Sequence, residues 1–142
     1  MRLLLTLLPL VLLGGCSLWM PRHDPDQAWV TLAPEADTHL HALEVDDAAL
    51  DDHRFFQVSP GSHTLGVLYR FQVAPENVGG AAGPLERECL LVVEFPEFKA
   101  GDRYRLEAGG HGFRPWAKLY DQHDFLLARG SEQGCGDNLA SR

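Results

Sequence analysis

The sequence predicts an all-β domain, an antiparallel β-sandwich of about eight short strands, set behind an N-terminal signal peptide. Three observations carry this. From His63 to Val73 the apolar residues recur at every second position. Leu65, Val67, Tyr69, Phe71 and Val73 share one face, while Thr64, Gly66, Arg70 and Gln72 share the other, with Leu68 the exception. That is the period of a half-buried strand. From Arg87 to Phe95, Cys89, Leu91, Val93 and Phe95 alternate with Leu90 and Val92, so both faces are apolar, as in a strand inside a sheet. Turn-forming clusters separate the runs: Val58-Ser59-Pro60-Gly61, Lys99-Ala100-Gly101-Asp102, Gly109-Gly110 and Asp121-Gln122-His123-Asp124.

Taken in order, the predicted strands are Gln27–Ala33, His39–Val45, His53–Ser59, His63–Val73, Arg87–Phe95, Asp102–Ala108, Pro115–Asp121 and Asp124–Gly130. In the sixth, Tyr104, Leu106 and Ala108 oppose Arg103, Arg105 and Glu107. Asp46–Asp52 is predicted to make one helical turn. Ala74–Glu86, aperiodic and rich in small residues, is predicted to be a mobile surface loop.

Upstream of the domain, Met1-Arg2 gives a short positive end, and Leu3–Leu13 is apolar apart from Thr6 and Pro9. The run is shorter than the ~20 residues that span a bilayer and fits a secretory signal. Leu13-Gly14-Gly15-Cys16 resembles the lipobox of bacterial lipoproteins. That resemblance implies cleavage before Cys16 and acylation of its sulfur and its new amino group. Several acyl chains are needed because one alone holds only marginally. It also implies the outer membrane, facing the periplasm, because Ser17 stands where an inner-membrane retention signal usually has aspartate. The expected organisation is a signal peptide over 1–15, the lipidated cysteine and a tether over 16–26, and the sandwich over 27–142.

Cleavage leaves Cys16 to Arg142, 127 residues, the size of one domain. The whole chain carries 12 basic and 20 acidic residues, net −8; the signal removes Arg2, which makes it −9. Such a balance argues against nucleic acid and against electrostatic docking on anionic lipid. The membrane is then reached through the acyl chains on Cys16, and basic protein partners remain open. The two further cysteines, Cys89 and Cys135, go to an oxidising compartment and are expected to form one disulfide. By chain entropy that bond is worth about 4 kcal/mol, and it would pin the glycine-rich tail "GSEQGCGDN" to the core.

The segment "VDDAALDDHRFFQVSPGSHTLGVLY" is similar to PEGA-like domains in Val45-Asp46, Pro60-Gly61, His63 and the strand Leu65–Tyr69. "FKAGDRYRLEA" is similar to a phrase of small proteobacterial lipoproteins of unknown function. The resemblance spans Leu43–Ala108 and departs from the PEGA pattern at Asp47, where glycine is usual. It implies an Ig/PEGA-like β-domain in the envelope and brings no catalytic residues with it.

Chemistry-bearing patterns are few. Seven histidines are present, and His39 and His41 share a strand face, yet they lack the ligand spacing that enforces a tetrahedral site, so no metal or cofactor is expected. The Asp46-Asp47 and Asp51-Asp52 pairs lack the oxygen spacing of a calcium loop. Ser62 and His63 are neighbours on a strand and point to opposite faces. "GHGFRPW" places His111, Arg114 and Trp116 near a turn and is the candidate ligand-binding stretch, for carbohydrate or peptide. Its other reading is that Phe113 and Trp116 close one end of the sandwich. The expectation is a non-catalytic binding or structural protein. The second reading is an inhibitor or accessory factor for a basic envelope enzyme, and the third is an enzyme.

Overall fold

The computed structural model describes residues 21–77 and 83–136. The signal run, Cys16 and the start of the tether, to residue 20, lie outside these, as do Val78–Ala82 and the last six residues. Ten strands are present among the described residues: β1 (Ala28–Pro34), β2 (His39–Val45), β3 (Ala48–Ala49), β4 (Phe55–Val58), β5 (Gly61–Val73), β6 (Leu85–Phe98), β7 (Arg103–His111), β8 (Arg114–Asp121), β9 (Leu126–Arg129) and β10 (Ser131–Cys135). They form two five-stranded sheets, ordered β4-β1-β7-β8-β9 and β10-β6-β5-β2-β3. The domain is the all-β sandwich that the sequence predicts.

Alternation builds the core. Leu65, Val67, Tyr69, Phe71 and Val73 of β5 are all 5% exposed or less. They meet Val30, Leu106, Ala108, Ala117 and Leu119 of the facing sheet in one apolar cluster. The doubly apolar β6 lies inside its sheet, paired with β5 and β10.

Several expectations are corrected. The sheets are not wholly antiparallel, because β1 and β7 pair in parallel, Trp29 opposite Arg103 through Pro34 opposite Ala108. The chain leaves β1 for the other sheet and comes back beside it, in the same direction, only after β6. Asp46–Asp52 is not helical. Asp46 and Asp47 take φ of 50° and 65°, and Val45 pairs with Ala48 across them, a two-residue hairpin. Pro60-Gly61 and Gly101 make corners between sheets, with φ of 118° and 78° at the glycines, and not hairpins within one. Gly109-Gly110 is not a turn either and lies inside β7. A Cβ on Gly109 would stand 2.3 Å from the Trp116 ring and 2.8 Å from Glu35 Oε2, so the glycine is there for close approach. The predicted tail contributes a strand, β10, with Cys135 opposite Cys89 and their sulfurs at disulfide distance, 2.07 Å. His23, within the segment read as tether, packs edge-on against Trp29 at 4.0 Å.

These connections divide the sandwich into two ends. At one end lie the entry to β1, the Pro60-Gly61 corner and the Lys99–Asp102 turn, tied together where Trp29 donates to Asp102 O and Gly101 to Gln27 O. At the other lie the β1–β2 turn over Glu35–Thr38, the β7–β8 hairpin, and the ends of β5 and β6. The seven residues of β1 separate the ends by about 20 Å.

Candidate functional site

The end remote from the entry to β1 holds a cleft built around Glu35. That residue follows β1, and its N–H is held by Ala108 O at 3.0 Å. Its carboxylate turns back over β7, where Oε2 accepts the Gly110 N–H at 3.1 Å. Thr38 closes the turn by donating both its N–H, at 3.2 Å, and its hydroxyl, at 2.6 Å, to Glu35 O. Between them Asp37 sits at a φ of 60°, a conformation that aspartate tolerates better than most residues. Its carboxylate is exposed and has no hydrogen-bond or ion-pair partner among the described residues.

Beneath this turn lies a cavity of about 300 Å³ lined by Glu35, Asp37, Thr38, Tyr69, Phe71 and Gly110, among others. Tyr69 is fully buried, and its phenol oxygen has no hydrogen-bond partner among the described residues. Burial pushes its pKa up, and the nearby Glu35 carboxylate adds to the rise, while the Thr38 hydroxyl opposes it. That hydroxyl is already donated to Glu35 O, and the two side chains do not meet in hydrogen-bonding geometry. A buried, unpaired hydroxyl costs about 1–3 kcal/mol, so it is an unusual feature for a core residue to keep. Two cations on the adjoining strands are engaged elsewhere. Arg70 bonds Glu88 through Nε at 2.9 Å and pairs with Glu86, and Arg87 lies over the Phe113 ring at 5.4 Å. The cleft therefore presents carboxylates, a phenol and the aromatic surface of Phe71.

The sequence-predicted binding residues border this end without forming one cavity. His111 and Arg114 face each other across the Gly112-Phe113 reversal, both exposed. Trp116 lies on the outer face of its sheet, not in the core, with its ring against Gly109 and the Lys118 ammonium 4.6 Å from its centroid. A second hollow, lined by Glu35, Glu107 and Trp116 among others, sits across the Glu35 side chain. Glu35, Asp37 and Tyr69 were not singled out from the sequence. Tyr69 reads there only as a core position, and its distinguishing property is a missing partner.

Two of the histidines, His53 and His63, serve local structure. His53 Nδ1 meets Ala42 O at 2.7 Å and caps the outer edge of β2. His39 and His41 project together into solvent. His63, at the tether end, meets Asp46 Oδ2 through Nδ1 at 2.6 Å, and its Nε2 lies 2.8 Å from Ser59 O and 3.0 Å from Ser59 Oγ. Ser, His and Asp thus converge, through Ser59 and not the neighbouring Ser62. A carbonyl can only accept, so it selects an N–H at Nε2, which is then unavailable as the base for the Ser59 hydroxyl. The cluster locks the Pro60 corner to the β2–β3 turn.

Comparison of the chain with family models, with curated proteins and with solved structures finds no match.

Proposed function

We propose that this chain is a lipid-anchored bacterial envelope protein whose sandwich is a non-catalytic binding module, held at the periplasmic face of the outer membrane with its acidic cleft turned away from the lipid. One observation supports the reading most. The chain that leads back toward Cys16 enters at one end of the sandwich, packed there by His23 on Trp29, and the Glu35 cleft opens at the other. A protein tethered in this way keeps its cleft free for a partner. The resemblance of Val45-Asp46, Pro60-Gly61 and His63 to PEGA-like domains favours an envelope β-domain. The acidic balance favours a basic partner, which is also what an inhibitor or accessory factor for a basic enzyme would need.

Lipidation is tested by Cys16→Ser. Expressed with labelled palmitate, the wild-type chain is expected to take up label and sediment with membranes. The variant is expected to lose the label and either stay unprocessed or be released in soluble form. A labelled, membrane-bound variant would refute the anchor.

A further inference from the structure

From Tyr69, which lines a cavity together with Glu35 and Asp37 and whose buried hydroxyl has no partner among the described residues, we propose that the cleft is a binding site for an alkylammonium group. The inference deepens the binding reading above and rests on it only for which way the cleft faces.

The donor set selects the ligand. An ammonium offers three N–H donors and no acceptor. The cleft supplies three oxygens that can accept: the phenol of Tyr69, the carboxylate of Asp37, which has no partner among the described residues, and the carboxylate of Glu35, which gives Oε2 to Gly110. Charge excludes the opposite choice, because two carboxylates repel an anion that the phenol might otherwise bind. A hard divalent cation is also disfavoured, since it prefers a shell of oxygens alone, whereas Phe71 lines this cavity. An apolar ring beside acidic oxygens suits a methylene stem that ends in a charge. The volume, about 300 Å³, is at the lower limit of small-ligand sites. The amine can come from a free diamine or from a lysine side chain of a partner, and the two share this chemistry.

The Tyr69 oxygen also gives the proposal a signature that a structural role would lack. A hydroxyl kept for packing would have a partner. One kept for a ligand is left unsatisfied in the free protein, so removing it should weaken binding without weakening the fold.

The test is calorimetric titration of the full lipidated chain in nonionic detergent. The probes are 1,5-diaminopentane and Nα-acetyl-lysine methylamide, with the Nε-acetylated lysine derivative as control. At least one amine is expected to bind saturably and the acetylated control not at all. Tyr69→Phe and Asp37→Asn are each expected to weaken binding at least tenfold, with Tyr69→Phe melting no lower than wild type. Binding of the diamine alone identifies a free amine as the ligand class; binding of the lysine derivative identifies a protein partner. Asp37→Asn keeps a residue tolerant of positive φ at an exposed turn, so it reports on the site even if Tyr69→Phe disturbs packing. Absence of saturable binding by either amine, or binding that both substitutions leave unchanged, overturns the proposal. Cys16→Ser should leave amine binding intact, so failure of the anchor and failure of the site are separable.

Discussion

Asp47 holds a left-handed backbone directly after Asp46, at φ of 65° and 50°, the pattern of a two-residue hairpin that prefers glycine at its second position. An L side chain there costs about 1 kcal/mol. Asp47→Gly is therefore expected to stabilise the domain by about 0.5–1 kcal/mol, raising Tm by about 2–4 °C in scanning calorimetry; a lower Tm would show that the Asp47 side chain contributes something that its backbone strain conceals. Asp46 is different, because its carboxylate is engaged. The Thr64 N–H at 2.8 Å and then the His63 ring hold its pKa below the ordinary 3.8. A depressed carboxyl stabilises the fold above its unfolded pKa, and the contribution disappears as pH falls through the folded value. Urea midpoints measured from pH 5 to pH 2 should fall, and Asp46→Asn should lower the midpoint at pH 5 while flattening the decline below pH 4. Asp52, lowered to about 2 beside Arg54, adds to the acid sensitivity that remains, but weakly, since solvent screens an exposed pair.

At the scale of elements, β10 depends on a covalent bond. Its residues Ser131–Cys135 are exposed or half-exposed and bury little apolar surface, and the strand holds through its ladder to β6 and through Cys135 opposite Cys89. Cys135→Ser is expected to lower Tm by several degrees, less than the ~4 kcal/mol chain-entropy limit would give. It should also open the chain after Gly130 to protease while both sheets persist. A variant that resists protease as the wild type does would mean that the ladder alone holds the strand. The elements the sequence revealed are those with an apolar pattern, one-sided as in β2 and β5 or two-sided as in β6. β2 runs from His39 to Val45 as read, because Leu40 and Ala42 alternate with His39 and His41. β10 was hidden because Glu132, Gln133 and Gly134 carry no apolar alternation; backbone pairing and a disulfide made the strand instead. The Asp46-Asp47 hairpin was hidden because two aspartates in left-handed conformation are rare, and the Ala48-Ala49-Leu50 that follows mimics a helical turn. Of the candidate site, the stretch "GHGFRPW" lies at the same end of the sandwich as the Glu35 cleft. The residues that line the cleft were illegible, because a hydroxyl without a partner is a property of the folded state alone.

On the scale of the whole molecule, a chain of net charge −8 gains no electrostatic hold on an anionic surface; under the function proposed above, its position at a membrane would rest on acyl chains at Cys16 and its orientation on the point where the chain enters the sandwich. His23, packed on Trp29, stands seven positions after Cys16, so on that proposal the domain lies within roughly 25 Å of chain from the anchor. The proposal therefore places the Lys99–Asp102 end nearer the lipid than the Glu35 cleft. The most direct test of this account is energy transfer from a dye on the anchored protein to acceptor-labelled lipid headgroups in vesicles, with the dye at Ala100→Cys in one preparation and at Arg114→Cys in another. Transfer is expected to be clearly stronger from position 100 than from position 114. Equal transfer, or stronger transfer from position 114, would contradict a cleft held away from the membrane.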